Sequence, residues 1–209
     1  MKRLVVTLDV PTASEARRAA RTLGSVGVAV RVGARLLNRI GPGVVTTLYA
    51  NAGVLVDARI SGAPGEVIAA ARSLATLGAS WVTIDGAVGP EGIAEATAAV
   101  QPYGAALVAT TVSPEAPDPN GARGRAVSLA ARGLASSGVV ALLGTVQDIG
   151  VVAQAAPDLP VVVVGAETPD DVADAVRRGA LAVVVESGIA RAADPAAAAA
   201  PFVEAAQGA

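Results

Sequence analysis

Short apolar runs alternate with longer stretches rich in alanine, arginine and glutamate from one end of the chain to the other. Eight of the runs predict β-strands: Leu4–Leu8, Val28–Val32, Val54–Val56, Trp81–Ile84, Ala105–Ala109, Val139–Leu143, Val161–Val164 and Leu181–Val185. Eight stretches between or after them predict helices: Ser14–Leu23, Ala34–Ala50, Glu66–Leu77, Glu91–Val100, Gly124–Ser136, Val146–Ala155, Asp170–Arg178 and Asp194–Ala206. Strands that are apolar throughout are typical of a parallel sheet that is covered on both faces.

The eight βα units follow one another without a linker, which predicts one α/β domain over residues 1–209. Eight such units favour a compact, single-domain (β/α)8 TIM barrel, close to the lower limit of about 200 residues for that fold. An open doubly wound sheet is the alternative, because it is built from the same units.

Composition excludes several kinds of chemistry. The chain has no cysteine and no histidine, which excludes disulfides, thiolate nucleophiles, Cys/His zinc sites and histidine bases. Lys2 is the single lysine, so no lysine inside the fold can form a Schiff base. The 16 basic and 18 acidic residues form no basic block of the kind that binds nucleic acid. The apolar runs are shorter than the roughly 18 residues of a membrane span, so we expect a soluble, cytoplasmic protein.

In a barrel of this type the chemistry lies where the strands end. The polar residues at those positions are Asp9, Arg31, Asp57, Arg59, Asp85, Thr110, Ser113, Thr145, Glu167, Glu186 and Ser187. Any of them could instead be a solvated loop residue or a helix cap, which is the reading that we give to Thr12, Thr168 and Asp194. We expect Asp9, Arg31, Asp57 and Arg59 to converge at the barrel mouth, because clustered charges are tolerated mainly at functional sites.

Several segments resemble the orotidine 5'-monophosphate decarboxylase superfamily, in the right order and over nearly the whole chain. They are Leu8-Asp9-Val10-Pro11-Thr12, Arg31-Val32-Gly33, the stretch 56–64, Val112-Ser113-Pro114 and the stretch 179–195. The resemblance implies a small-molecule substrate, a role for Ser113 in binding it, and a homodimer. We expect no cofactor; the alternative is a divalent metal with oxygen ligands from Asp9, Asp57 or Asp85.

The catalytic array departs from the family pattern. The family carries an alternating Lys-Asp-Lys-Asp network, whereas this chain has Arg31, Asp57, Arg59 and Gly62. The family's second lysine donates a proton to the carbon that loses CO₂, and Arg59 takes its place. A guanidinium gives up a proton less readily by roughly three pKa units, or about 4–5 kcal/mol.

The phosphate-binding segments also depart from the pattern. The family has Gly-Arg after the last strand, where this chain has Glu186 and Ser187, and a long lid after the seventh strand, where Glu167 lies in a short loop. The short loop resembles the hexulose-phosphate synthase branch, although that branch keeps acidic residues that are missing here. Both changes predict that a phosphate is not bound in the family manner.

Three functions therefore stay open. The first is a lyase or isomerase on a small polar metabolite. In it Asp57 or Asp9 is the base or ligand holder, while Arg31 and Arg59 hold an anionic group or stabilise an enolate-like charge. In that site Asp9, Ser113, Asp85, Glu167, Glu186 and Ser187 would contact the substrate. The second is a working orotidine 5'-phosphate decarboxylase of pyrimidine biosynthesis, and the third is a barrel that binds a small molecule without catalysis.

Overall fold

The computed structural model describes residues 2–112, 121–186 and 188–208. The eight parallel strands are β1 (Leu4–Thr7), β2 (Ala29–Gly33), β3 (Val54–Ile60), β4 (Trp81–Asp85), β5 (Ala106–Thr110), β6 (Ala141–Gly144), β7 (Val161–Ala166) and β8 (Ala182–Val185). Each strand pairs with the next one in the chain, and β8 pairs with β1. The predicted (β/α)8 barrel is therefore confirmed, and the open sheet is wrong.

Helices connect the strands and surround them. Their bounds are α1 (Ala13–Ser25), α2 (Ala34–Ile40), α3 (Val44–Tyr49), α4 (Pro64–Thr76), α5 (Pro90–Val100), α6 (Arg123–Leu134), α7 (Asp148–Ala155), α8 (Pro169–Arg177) and α9 (Pro195–Gly208). Thr12 and Thr168 form capping boxes at the starts of α1 and α8, and Asp194 accepts main-chain hydrogen bonds at the start of α9, so the three predicted caps are confirmed.

The predicted helix Ala34–Ala50 is wrong as one element, because it is divided into α2 and α3. Gly41-Pro42-Gly43 separates the two, and Gly41 has a φ of 90°, which a residue with a side chain rarely adopts. No helix in the described part of the chain combines the length and the apolar character needed to cross a membrane.

The apolar core has two layers. A larger one lies between the strands and the helices, and a smaller one fills the barrel interior. The interior side chains are mostly small, which suits a short chain: Val5, Ala29, Leu55, Trp81, Val108, Ala141, Leu143, Val162, Val164, Ala182 and Val184.

The interior layer also fixes which residues reach the mouth. Side chains two positions apart on a strand point to the same face, so each inward series continues toward the carboxyl end of its strand. On most strands, the position two residues beyond the last apolar interior residue is polar. These positions are Thr7, Arg31, Asp57, Thr83, Thr110, Thr145 and Glu186. The barrel is thus apolar at its centre and polar at the end where βα loops begin.

Candidate active site

A bulge in β3 shapes the centre of the mouth. The pairing of β3 with β4 is regular on either side of Asp57–Arg59, but these three residues lie opposite Thr83 alone. Thr83 is fully buried. Its Oγ1 accepts a hydrogen bond from the main-chain N–H of Arg59 at 2.7 Å and donates one to Oδ1 of Asp57 at 2.8 Å. One hydroxyl therefore holds both ends of the bulge.

Asp57 is buried and accepts hydrogen bonds on both carboxylate oxygens. Its Oδ2 accepts from Nε of Arg31 at 3.0 Å and also from the Nη2 of that residue, a two-pronged contact that only a guanidinium can make. Its Oδ1 accepts from Thr83 and lies 3.6 Å from Nε of Arg59. Arg31, Asp57 and Arg59 therefore form one connected group, as predicted.

Arg31 extends this group around the barrel to β1 and β8. It lies opposite Thr7 on β1, and β1 in turn pairs with β8 immediately before Glu186. The guanidinium accordingly donates to Oγ1 of Thr7 at 3.3 Å and forms a short ion pair with Glu186. The carboxylate of Glu186 is 47% exposed, so it is accessible to a ligand in a way that Asp57 is not.

Arg59 stands in an unusual backbone conformation. Its φ is 44°, and it is the non-glycine residue with a positive φ in the described ranges. A left-handed conformation costs a residue with a side chain about 1–2 kcal/mol. Such strain is found mainly where a functional side chain must be aimed. Here it accompanies the placement of Nε of Arg59 at 3.6 Å from Oδ1 of Asp57.

Asp9 lies beside this group without joining it. Its carboxylate is held by Arg191 at 2.7 Å and by Arg35 at 3.2 Å, rather than by Arg31 or Arg59. Asp9 thus lies at the mouth with the other three predicted residues, but its ion-pair partners are two exposed arginines and not Arg31 or Arg59. Asp9 and Arg31 nevertheless line the same cavity of about 280 Å³.

Two other predicted residues have local partners. The carboxylate of Asp85 accepts a hydrogen bond from the N–H of Ala87 at 2.9 Å and caps a 3₁₀ turn. Glu167 is exposed, and its N–H donates to Asp171. Ser113 and Ser187 lie outside the described residues, so the structure does not place them.

The β7–β8 side of the mouth is acidic. A cavity of about 310 Å³ lies there, and its polar lining includes Asp171, Asp174 and Glu186. Asp171 accepts hydrogen bonds from the N–H groups of Glu167 and Thr168, at the start of α8. The hydroxyl of Thr168 and these N–H groups lower the pKa of Asp171 below its usual value of 3.8. A carboxylate of the chain itself thus occupies the main-chain donors that could hold an anion.

Metal ligation has little support in the described residues. No three acidic side chains of residues 2–112, 121–186 and 188–208 come together as a metal site requires. The three aspartates considered for such a site are separately engaged: Asp57 by arginine and threonine, Asp9 by two other arginines, and Asp85 by a main-chain N–H.

Sequence reasoning missed Thr7, Thr83, Arg35 and Arg191. The two threonines stand inside apolar strands, where they resemble core residues. Their signal was the period of two that continues each inward-facing series toward the mouth. Arg35 follows β2, and the pairing of β1 with β2 brings it to Asp9, whereas the closure of the barrel between β8 and β1 brings Arg191 there.

The comparisons with known proteins agree with this architecture. The model of the orotidine 5'-phosphate decarboxylase / HUMPS family matches residues 2–202. No curated protein matches the chain at a significant level.

Many solved structures have a similar fold, and three examples cover nearly the whole chain. The orotidine 5'-phosphate decarboxylase from Lactobacillus acidophilus has a TM-score of 0.85 at 22% identity, over 99% of both chains. An uncharacterized conserved protein from Geobacillus kaustophilus has a TM-score of 0.82 at 23% identity, over 97% of this chain and 99% of that one. The orotidine 5'-phosphate decarboxylase from Pyrococcus horikoshii OT3 has a TM-score of 0.79 at 19% identity, over 99% of this chain and 100% of that one. At these identities the likeness concerns the fold, and the family follows from the family model: the chain belongs to the orotidine 5'-phosphate decarboxylase / HUMPS family.

Proposed function

We propose that this protein is a lyase or isomerase of its family that acts on a small polar metabolite. The observation that carries the proposal is the arrangement of Arg31 and Arg59 on either side of the buried Asp57. Arg31 and Arg59 replace the lysines of the family pattern, and their fixed guanidinium groups suit the stabilisation of a negative charge.

The chemistry of each charged side chain determines its role in the proposed reaction. A guanidinium stays protonated in proteins, so Arg59 cannot serve as the proton donor that the family's lysine provides. Cleavage of a carbon–carbon bond next to a carbonyl and proton abstraction at that position both leave an enolate-like charge. Arg31 and Arg59 would stabilise that charge. Asp57 already accepts hydrogen bonds on both oxygens, so it orients the two arginines. Proton transfer then falls to a more accessible carboxylate, Glu186 or Asp9.

The β7–β8 side supports an altered substrate. Asp171 and Glu186 would repel a phosphate dianion there, by about 1–4 kcal/mol for each close pair of charges. Gly62, at the position of the family's last aspartate, has a φ of 129°, which disfavours any side chain. The loop is therefore shaped for glycine rather than for the missing aspartate. Glu66 lies close by, since an added Cβ on Gly62 would be 3.2 Å from its carboxylate.

Two other functions remain as alternatives. The family match along residues 2–202 favours a working orotidine 5'-phosphate decarboxylase. The closed ion pairs around Asp57 favour a barrel that binds a small molecule without catalysis. From the family resemblance we also propose a homodimer in the cytoplasm.

A thermal-shift screen tests the proposal. The screen contains sugar phosphates, nucleotides and the unphosphorylated analogues of both. A ligand at one hundred times its dissociation constant stabilises the fold by about 2.7 kcal/mol, a rise in Tm of roughly 5–10 °C for a chain of this length. We expect a hit that is a small polar compound, that is lost in Asp57→Asn, and that is turned over when assayed for lyase and isomerase products.

The matched control is Asp158→Asn, which changes an exposed carboxylate beyond α7 and should keep the hit. Binding without turnover would favour the non-catalytic alternative. A hit that Asp57→Asn retains would contradict the proposed site.

A further inference from the structure

We propose that an arginine-lined cavity beside the mouth binds a phosphoryl group of a ligand. The cavity measures about 510 Å³ and lies between the loop after β1, the helices α1 and α2, and the segment that leads into α9. Four guanidinium groups line it: Arg18, Arg35, Arg39 and Arg191. The acidic β7–β8 cavity is a separate one, and none of these arginines lines it.

The two carboxylates of the arginine-lined cavity are already engaged. Asp9 is held by Arg35 and Arg191. Glu15 belongs to the capping box of α1, in which its Oε2 accepts from the N–H of Thr12 at 3.1 Å and from its hydroxyl at 2.7 Å.

Two positive charges are left over. The guanidinium groups of Arg18 and Arg39 form no ion pair or hydrogen bond with any residue in the described ranges. Together with the two arginines that already hold Asp9, they give the cavity a formal charge of +2, which matches a phosphate dianion. Arginine is well suited to this ligand, because its planar fork of donors fits phosphate oxygens.

The arginine-lined cavity is continuous with the mouth. Asp9 and Arg35 line both this cavity and the smaller one that contains Arg31 and Glu186. A ligand whose phosphoryl group lies among the arginines can therefore extend to the Arg31–Asp57–Arg59 group. This extension rests on the proposed function, whereas phosphoryl binding in the cavity does not.

A titration with inorganic phosphate tests the site directly. At about pH 8, inorganic phosphate is mostly a dianion, as phosphate monoesters with a second pKa near 6 are, and NMR spectra of the arginine Nε–H groups would report binding residue by residue. We expect the signals of Arg18 and Arg39 to shift with one common dissociation constant, and we expect added salt to weaken the binding. The double variant Arg18→Gln/Arg39→Gln should bind at least tenfold more weakly, since it loses two charge-assisted contacts.

Matched variants separate the site from general effects of charge. Arg17→Gln changes an exposed arginine on the same helix that does not line the cavity, and it should leave the dissociation constant unchanged. The double variant Arg18→Lys/Arg39→Lys keeps the charges but loses the planar fork of donors, so it should bind phosphate more tightly than Arg18→Gln/Arg39→Gln and more weakly than the unchanged protein. Acetate, with one charge, should bind at least tenfold more weakly than phosphate.

The outcomes also separate this proposal from the proposed function. Asp57→Asn should bind phosphate as the unchanged protein does, because Asp57 does not line the cavity. Phosphate affinity that is unaltered in Arg18→Gln/Arg39→Gln, or signals of Arg18 and Arg39 that do not move, would overturn the anion site. Neither result would affect the argument for Arg31, Asp57 and Arg59.

Discussion

Thr83 determines how Asp57 and Arg59 are held relative to each other. It is buried within β4, and its hydroxyl donates to Asp57 and accepts from the main-chain N–H of Arg59. The two partners belong to a bulge, where no ladder hydrogen bond can take over. A residue that touches no ligand therefore positions two residues of the candidate site.

We expect Thr83→Val to destabilise the protein by about 1–3 kcal/mol, because it leaves the N–H of Arg59 and one oxygen of Asp57 without their partner. Urea unfolding measures this loss. The amide proton of Arg59 should also shift upfield in the NMR spectrum as its hydrogen bond is lost. Thr83→Ser keeps the hydroxyl and is the control, so its Arg59 signal should stay in place. An unchanged signal in Thr83→Val would contradict the positioning role.

The positive φ of Arg59 leads to a separate prediction about the stability of variants at this position. Arg59→Gly and Arg59→Ala both remove the guanidinium and its contact with Asp57, so that loss cancels when the two variants are compared. Glycine adopts a φ of 44° without strain, whereas alanine does not. We expect Arg59→Gly to be the more stable of the two by about 1 kcal/mol in urea unfolding. Equal stability would show that the bulge relaxes once the arginine is gone.

The charged residues of the site could be predicted from the sequence, and their hydroxyl partners could not. Arg31, Asp57 and Arg59 interrupt or follow apolar runs, and a charge at the end of a buried strand has few structural explanations. A threonine within a strand has many structural explanations, since threonine is common in strands, so Thr83 gave no functional signal. The role of Thr83 depends on the bulge, which adds residues to β3 and brings Arg59 next to Thr83.

At the scale of elements, an ion pair joins the start of α6 to the start of α7. Arg123 donates to both oxygens of Asp148, at 3.0 and 2.6 Å, and the N–H and hydroxyl of Thr145 donate to the same carboxylate. Gly144 is required beneath it, because a Cβ there would lie 2.7 Å from Oδ2 of Asp148. The end of β6 is thereby fixed to the helix that follows it.

Burial by itself raises the pKa of Asp148, but the hydrogen bonds from Arg123 and Thr145 outweigh it, and the pKa is lowered from its usual 3.8. A lowered pKa in the folded state means that the unfolded chain binds the proton more tightly. The contribution of Asp148 to stability is then complete above pH 3.8 and is lost as the pH falls through the lowered value.

We therefore expect Asp148→Asn to be less stable by roughly 3–5 kcal/mol near neutral pH, because Arg123 is left partly buried without its counter-charge. The difference from the unchanged protein should shrink as the pH falls below the usual pKa. Urea unfolding at a series of pH values measures both effects. The exposed Asp158→Asn should stay within about 0.5 kcal/mol throughout. A difference that grows in acid would contradict the assignment.

The elements themselves could be predicted well, because parallel strands buried on both faces are apolar along their whole length. The errors occur where polar residues extend a strand. The prediction ended the third strand at Val56, whereas β3 continues through the bulge to Ile60. The division of Ala34–Ala50 had a visible signal in Gly41-Pro42-Gly43, which ends helices.

At the scale of the whole molecule, the barrel mouth is divided by charge. Carboxylates line the cavity on the β7–β8 side, and arginines line the cavity on the β1–β2 side, although the net charge of the chain is only −2. Arg31 connects the two sides, because it forms an ion pair with Glu186 of the first cavity and lines a third cavity with Asp9 and Arg35 of the second. A ligand with one anionic end has a preferred orientation in such a field, with that end toward the arginines.

This division predicts how the protein treats orotidine 5'-monophosphate. In the family pattern the phosphate of that substrate is held after the last two strands, where Glu186 and Asp171 now lie, and a lysine donates the proton where Arg59 now stands. We expect turnover far below the 1–1000 per second that is typical of enzymes. Loss of absorbance of the pyrimidine, followed with purified protein, measures it.

Restoring single residues should not recover that activity. Arg59→Lys returns a group that can donate a proton, but Gly62 still lacks the carboxylate of the family's last aspartate, and its φ of 129° resists Gly62→Asp. Arg59→Lys also leaves Asp171 on the main-chain donors of α8 and Glu186 at the end of β8, so the phosphate is still repelled.

The control is Arg72→Lys, which changes an exposed arginine of α4 and should behave as the unchanged protein does. A rate within the enzymatic range for the unchanged protein would establish the decarboxylase alternative. A rate that appears only in Arg59→Lys would show that proton donation, and not phosphate binding, is what this chain has lost.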